Sequence, residues 1–163
     1  MTIIEKEFCQ FYARTDKGFA FKVTIDIMKN LLNKHLYVKI NKKGFFSSQG
    51  SGDPSKHKLY NYLKAFYTAE TWNAFICTKE RTIDLNLVEL CNICKNIKKK
   101  FHLLLYIRND EPNRLYIVPI PPNQTSEDHS HLARRLPITD ITLDFSTFRQ
   151  EINYKYHNGL SSQ

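Results

Sequence analysis

Residues 19–34 read FAFKVTIDIMKNLLNK, and residues 84–99 read DLNLVELCNICKNIKK. Both stretches put apolar side chains at helical spacing and lysines on the opposite face. In the first, Phe21, Ile25, Met28 and Leu32, with Val23, Ile27 and Leu31 beside them, make a wide apolar face, while Lys22, Asp26, Lys29 and Asn33 recur on the other. In the second, Leu87, Leu90, Cys91, Cys94 and Ile97 turn inward. Asn92, Lys95, Asn96, Lys98, Lys99 and Lys100 point outward or close the last turn, where cations suit the negative end of the helix dipole. Asn86, followed three residues later by Glu89, is a capping arrangement. Each helix follows an extended segment and leads into short alternating strands, so the order strand, helix, three strands occurs twice. That order predicts an α+β domain in which the two copies stack into sheets with both helices on one side. The exposed side of those helices is basic, which suits a nucleic-acid backbone.

The segments around the helices fit this plan. Residues 8–15 (FCQFYART) are aromatic and extended, and Asp16 and Gly18 form a helix-start turn. Residues 36–40 (LYVKI) alternate like a half-buried strand, 42–44 turn and 45–48 return, making a hairpin. Residues 49–55 (QGSGDPS) hold two glycines and Asp-Pro and read as an exposed, mobile connection. Strands are expected at 59–66 (LYNYLKAF) and at 71–77 (TWNAFIC), where Trp72, Ala74 and Ile76 oppose Asn73, Phe75 and Cys77. After the second helix, 102–108 and 114–119 flank the turn NDEPN at 109–113, a second hairpin. Residues 119–130 are proline-rich, polar and loose, and 132–156 read as one more strand and an extended connector. The expected organisation is a domain over 1–132 with a terminal strand and connector or tail over 133–163.

With 163 residues and 42% of them hydrophobic, the chain fits one domain with its own core and leaves little room for a second. The net charge of +8 favours an acidic partner. Nucleic acid comes before membrane, because the basic residues lie among aromatics rather than along one long apolar helix. Solubility alone is the plainer reading of the same charge. Apolar runs such as 103–107 are too short to cross a bilayer, and the start MTIIEKE is no signal peptide, so an intracellular protein is expected. Cys9, Cys77, Cys91 and Cys94 form no dense framework and read as reduced thiols of the cytosol or nucleus. The abundance of Lys, Asn, Ile, Phe and Tyr beside five glycines points to an AT-rich coding genome.

Catalytic chemistry has no foothold in the sequence. Cys91-x-x-Cys94 lies among apolar helical neighbours and reads as core rather than as a metal or redox pair. The run Asp128-His129-Ser130-His131 in a polar loop reads as solvated, and His35, His102 and His157 stand alone. There is no glycine-rich phosphate loop, nucleophile elbow or spaced carboxylate pair. A non-enzymatic protein without metal or cofactor is expected. The run of lysines at 98–100 suits a nuclear-localisation element, a phosphate contact or a solvated helix end.

Three stretches carry a family resemblance. FYARTDKGFAFKVTIDIMKNLL (11–32) resembles the opening strand, turn glycine and first helix of sliding clamps of the proliferating cell nuclear antigen type. TWNAFICTKERTIDLNLVELCNICK (71–95) is similar to that family's cysteine-ended strand, charged turn and Ile-x-x-Asn-Leu lead into the second helix, here Ile83, Asn86 and Leu87. NDEP (109–112) and LYIVPIPP (115–122) resemble its closing hairpin. The resemblance covers roughly residues 11–122 and implies a ring of such domains around duplex DNA, with helices lining the bore and sheets forming the rim, tethering a polymerase to its template. It also implies that Lys22 and Lys29 on the first helix and Lys95 on the second face the bore. With them, Lys17, Lys34, Lys98, Lys99 and Lys100 complete the expected DNA-binding set.

The sequence departs from the family in four respects. Clamp chains of this type carry two such domains joined by a long connector, whereas one is present here, and 134–156 falls where the last strand and connector begin. A pocket for partner peptides needs both domains. The loop 49–58 differs from the family's aspartate-and-histidine turn, so His57 is not matched to it. Cellular members are acidic while this chain is basic, which is similar to viral processivity factors with clamp-like folds. The expected partners are duplex DNA, a DNA polymerase, and a second copy or second clamp domain, at a nuclear or cytoplasmic replication site and not at a membrane. Two other functions fit the same residues: a viral protein-interaction or structural subunit with a clamp-like fold, and a single-stranded nucleic-acid binder stacking bases on Tyr60 and Tyr62.

Overall fold

In the computed structural model, residues 6–32, 34–53, 58–123 and 132–142 are described, with the backbone alone at 48–53 and 58–66. In chain order they form β1 (Cys9–Thr15), α1 (Gly18–Leu32), β2 (His35–Asn41), β3 (Gly44–Asp53), β4 (Lys58–Thr68), β5 (Ala74–Cys77), β6 (Arg81–Asn86), α2 (Leu87–Cys94), β7 (His102–Arg108), β8 (Glu111–Ile120), β9 (Arg134–Pro137) and β10 (Thr139–Asp140). One antiparallel sheet has the order β5-β1-β7-β8-β9 (sheet 1) and the other β10-β6-β2-β3-β4 (sheet 2).

These two orders are one pattern used twice. Exchanging β1 to β5 with β6 to β10 turns one sheet into the other. The described residues therefore form two copies of strand, helix and four strands, one strand more than the sequence predicts, because β5 and β10 are short closing strands. The copies interlock: the strand that opens each repeat pairs with the strand that follows the other repeat's helix, β1 with β7 and β6 with β2. Two backbone bonds mark equivalent points. Gly18 N–H donates to Phe101 O at 3.1 Å and Leu87 N–H to Lys34 O at 2.7 Å, so each helix starts beside the chain leaving the other. The helices thus run antiparallel, and the Cys91 thiol meets Ile25 O at 3.7 Å between them.

The main core fills the space between the helices and the inner faces of both sheets. It is built from Phe21, Ile25 and Met28 of α1, Leu87, Leu90, Cys91 and Cys94 of α2, and the alternate residues Phe11, Ala13, Leu36, Val38, Ile40, Ile83, Leu85, Leu103, Leu105 and Ile107 of the strands. Trp72, just before β5, closes one end against Phe21, Phe45, Tyr67 and Phe75. Gly18 is required at the mouth of α1, because a Cβ there would stand 2.9 Å from Phe101 O. Gly44 has φ +150°, and a Cβ would collide with Tyr67 O. A second cluster, Cys9, Tyr12, Leu104, Tyr106, Tyr116, Val118 and Ile120, lies on the other face of sheet 1. Here Tyr106 and Tyr116 stack with centroids 4.7 Å apart and planes 6° from parallel.

Several expected boundaries shift. Helix α1 ends at Leu32, short of Lys34. The second helix does not begin at Asp84: residues 81–86 are strand, because Ile83 and Leu85 alternate inward and pair with Val38 and Leu36 of β2. Nor does it run to Lys99, since α2 ends at Cys94. The expected mobile connection at 49–55 is in fact strand through Asp53, held by the long β3–β4 pairing, and 54–57 lie outside the described residues. The turn expected at 109–113 narrows to Asn109 and Asp110, with β8 running from Glu111 to Ile120 through the prolines at 112 and 119. Of the terminal stretch, β9 forms the edge of sheet 1 and β10 that of sheet 2, with Leu136 and Ile138 in the core; residues beyond 142 lie outside the described ones.

Candidate nucleic-acid interface

The antiparallel helix pair decides where the eight predicted lysines stand. Lys17 immediately precedes α1, whose first N–H is bonded to Phe101 O, so it shares one end of the pair with Lys98, Lys99 and Lys100. Lys34 sits at the other end, where its carbonyl accepts from the first residue of α2. Lys29 lies on α1, and Lys95 caps the C-terminus of α2. Lys17, Lys29, Lys34, Lys95, Lys98, Lys99 and Lys100 are all exposed. The fold therefore gathers lysines from two stretches far apart in the sequence, 17–34 and 95–100, along one pair of helices.

Three features differ from expectation. Lys98, Lys99 and Lys100 are not on a helix but on the turn between α2 and β7, which Phe101 N–H closes onto Lys98 O at 3.2 Å, with Lys100 at φ 71°. Buried Ile97 pins that turn to the core. Lys22 is half-buried rather than outward: its ammonium is 2.8 Å from the Asp26 carboxylate and lies over the Phe19 ring at 5.9 Å. Val23 and Ile27, expected on the inward face, are 38% and 49% exposed. The buried stripe of α1 is the narrow one through Phe21, Ile25 and Met28, so Val23 and Ile27 remain on its outer surface with exposed Asn30, three residues beyond Ile27. Two acidic residues adjoin the lysines: Asp16 precedes Lys17 in the chain, and Asp26 holds Lys22.

The capping expected of Asn86 is present. Its Oδ1 accepts from Val88 N–H at 3.0 Å and Glu89 N–H at 3.2 Å, which fixes where β6 becomes α2. Cys91 and Cys94 are buried beneath the helix pair, as the helical spacing predicts. Burial pushes both thiols up, Cys94 to about 12, with Cys91 beside it adding to the shift. Such thiols are neutral at pH 7 and poor nucleophiles. Among the described residues no group of three or more His, Cys, Asp or Glu side chains is placed to hold a metal, and the run Asp128 to His131 lies outside them. The side chains of Tyr60 and Tyr62 are likewise outside the described ones.

Sequence reasoning missed a second basic region. Lys39, Asn41, Lys42 and Lys43 from the end of β2 and its turn meet Thr78 and Glu80 from the β5–β6 turn around a groove of about 420 Å³. The local signal was the KINKKG run at 39–44, but its partner segment lies some 35 residues on and arrives only through the pairing of β2 with β6. Sequence reasoning also missed Arg81, whose buried guanidinium ties four segments together. It donates to Asp140 Oδ1 at 2.9 Å, to Gln10 Oε1 at 3.1 Å and to Pro112 O.

No helix among the described residues is long and apolar enough to cross a membrane. Comparison with protein-family models and with curated protein sequences finds no match to this chain, so the interface is read from its own residues.

Proposed function

We propose that this chain is a non-enzymatic, clamp-like DNA polymerase processivity factor, or the first domain of one, that holds duplex DNA against its helix pair. The observation that carries this reading is the duplicated topology, which lays two helices antiparallel and lines them and their connecting turns with exposed lysines. Lysine ammonium groups grip phosphates without reading bases, so the protein holds any duplex and still slides. Self-association, or a second clamp domain, uses the open sheet edges at β4 and β9. A polymerase partner and a nuclear or cytoplasmic replication site follow from the same reading.

The test is charge reversal of Lys17, Lys29, Lys95 and Lys99 to Glu; Lys22 is left intact because Asp26 holds it. The fourfold variant should keep its circular dichroism and melting temperature and lose binding to duplexes of unrelated sequence alike. Single Lys→Ala changes should each flatten the slope of log affinity against log salt by about 0.9 at most. A folded fourfold variant that binds duplex as the parent does would overturn the reading. The exposed apolar side chains Val23 and Ile27 favour the rival, a protein-interaction subunit whose α1 is covered by a partner.

A further inference from the structure

We propose that the groove between the β2–β3 turn and the β5–β6 turn is a second anion site, one that takes the phosphodiester backbone of a nucleic-acid strand. It lies away from the helices. Leu36, Val38 and Ile40 of β2 point into the main core, so Lys39 and Asn41 point to the opposite face of sheet 2. The inference does not depend on the helix pair binding duplex.

The walls of the groove are fixed before any ligand arrives. Asn41 Oδ1 accepts from Lys43 N–H at 2.8 Å, and Lys43 O accepts from Ala69 N–H at 2.8 Å, which holds the turn from both sides. Gly44, with its positive φ, lets the turn lie against the Tyr67 carbonyl. On the other wall, Thr78 N–H donates to Gln10 O at 2.9 Å and the Cys77 thiol to Lys79 O at 3.2 Å. Binding therefore orders only side-chain ends, which lowers its entropic cost.

The lining chooses the ligand. Lys42 and Lys43 are exposed and make no ion pair among the described residues, and the Asn41 amide nitrogen adds a neutral donor, while the Thr78 hydroxyl leans back to donate to Gln10 O at 3.5 Å. Lysine, asparagine and threonine side chains are the groups that contact nucleic-acid phosphates. Acidic peptide motifs are typically gripped by clusters of arginine forks that pair bidentately with carboxylates. No arginine lines this groove, whose cations are lysine point charges. Glu80 opposes an anion: its carboxylate holds the Lys39 ammonium at 3.2 Å, so a bound phosphate competes with Glu80 for Lys39.

The experiment measures fluorescence anisotropy of a labelled oligothymidylate, a labelled duplex and a labelled polyglutamate peptide against the parent, Lys42→Glu/Lys43→Glu, Lys42→Gln/Lys43→Gln, Glu80→Gln and the fourfold helix variant. The Glu pair should weaken oligothymidylate binding about tenfold or more and flatten its salt slope by about 1.4, two single-strand phosphates' worth. The Gln pair should give a smaller loss and Glu80→Gln a gain, while the helix variant should retain single-strand binding even if duplex binding is lost. Full displacement by inorganic phosphate at fixed ionic strength would mean a free-phosphate site and overturn the strand assignment. So would a Glu pair that stays folded and binds the oligonucleotide as the parent does, or one that loses only polyglutamate binding.

Discussion

Tyr12, Tyr106 and Tyr116 stand side by side on the outer face of sheet 1, and the equivalent places on sheet 2 hold Thr82, Lys39 and Phe46. The equivalence follows from the paired bonds at the helix starts, which match Phe101 to Lys34 and hence Tyr106, five residues on, to Lys39. Inner neighbours remain alike: Leu103 matches Leu36, Leu105 matches Val38 and Ile107 matches Ile40, all buried. The inner faces fill one shared core, where a change of even one methylene is felt, so the two repeats keep the same pattern there. The outer faces carry no such constraint and have diverged. One is closed over aromatic rings and the other carries charge and a groove, so the surfaces that differ between the repeats are the ones to search for function.

The largest effect should come from Tyr106→Ala. The ring is 7% exposed and stacked on Tyr116, and deleting a buried aromatic costs about 3–5 kcal/mol. Urea unfolding monitored by circular dichroism measures it. A loss below about 1 kcal/mol would mean that the row is not a packed surface and that the contrast between the sheets is only one of composition.

Alkaline titration sharpens the same contrast. Burial, followed by the neighbouring Tyr116, pushes the Tyr106 hydroxyl up from 10.0 to about 12. A group whose pKa is raised by folding favours the native state while it stays protonated. Its contribution is therefore whole below about pH 10 and is lost as the pH rises towards about 12. Cys9, raised from 9.0 to about 11 mainly by burial, begins the loss lower, and Cys94, raised to about 12, extends it over the whole range. The urea midpoint should fall from about pH 9 upward, and Tyr106→Phe should flatten only the upper part of that fall. A midpoint constant to pH 12 would show that these groups reach water in the native state.

What the sequence made legible was local. The helical spacing named every inward residue of α2 and the following turn, and Asn86 was recognisable as a cap because its partners lie two and three residues away. What stayed hidden depends on distant pairing. Asp84 and Asn86 belong to a strand because Tyr37 and His35 of the distant β2 pair with them, and no local window contains that information. The glycines at 50 and 52 sit in a strand for the same reason, held opposite β4. On α1 the spacing gave the direction of the buried face but not its width, which is set by how closely the sheets and α2 approach, so Val23 and Ile27 were placed inside. The lysines at 98–100 were recognised as exposed but assigned to a helix that the chain leaves at Lys95, where no glycine or proline marks the exit. The groove at Lys42 and Thr78 is entirely a product of sheet pairing.

The smallest effect should come from Lys39→Ala, made at the place equivalent to Tyr106. Lys39 keeps a side chain 39% exposed, and its ammonium pairs with a Glu80 carboxylate that is 60% exposed. Pairs of this kind contribute about 0–1 kcal/mol, because water screens the charges and two long side chains lose freedom in meeting. The variant should therefore unfold within about 1 kcal/mol of the parent, and the difference should shrink in high salt. Part of any residual cost would be the apolar stem of the lysine, which salt does not screen. If Lys39→Ala instead cost as much as Tyr106→Ala, the outer face of sheet 2 would be a packed surface like that of sheet 1. The side chains around the groove would then already be satisfied within the protein, leaving nothing for an anion to gain there.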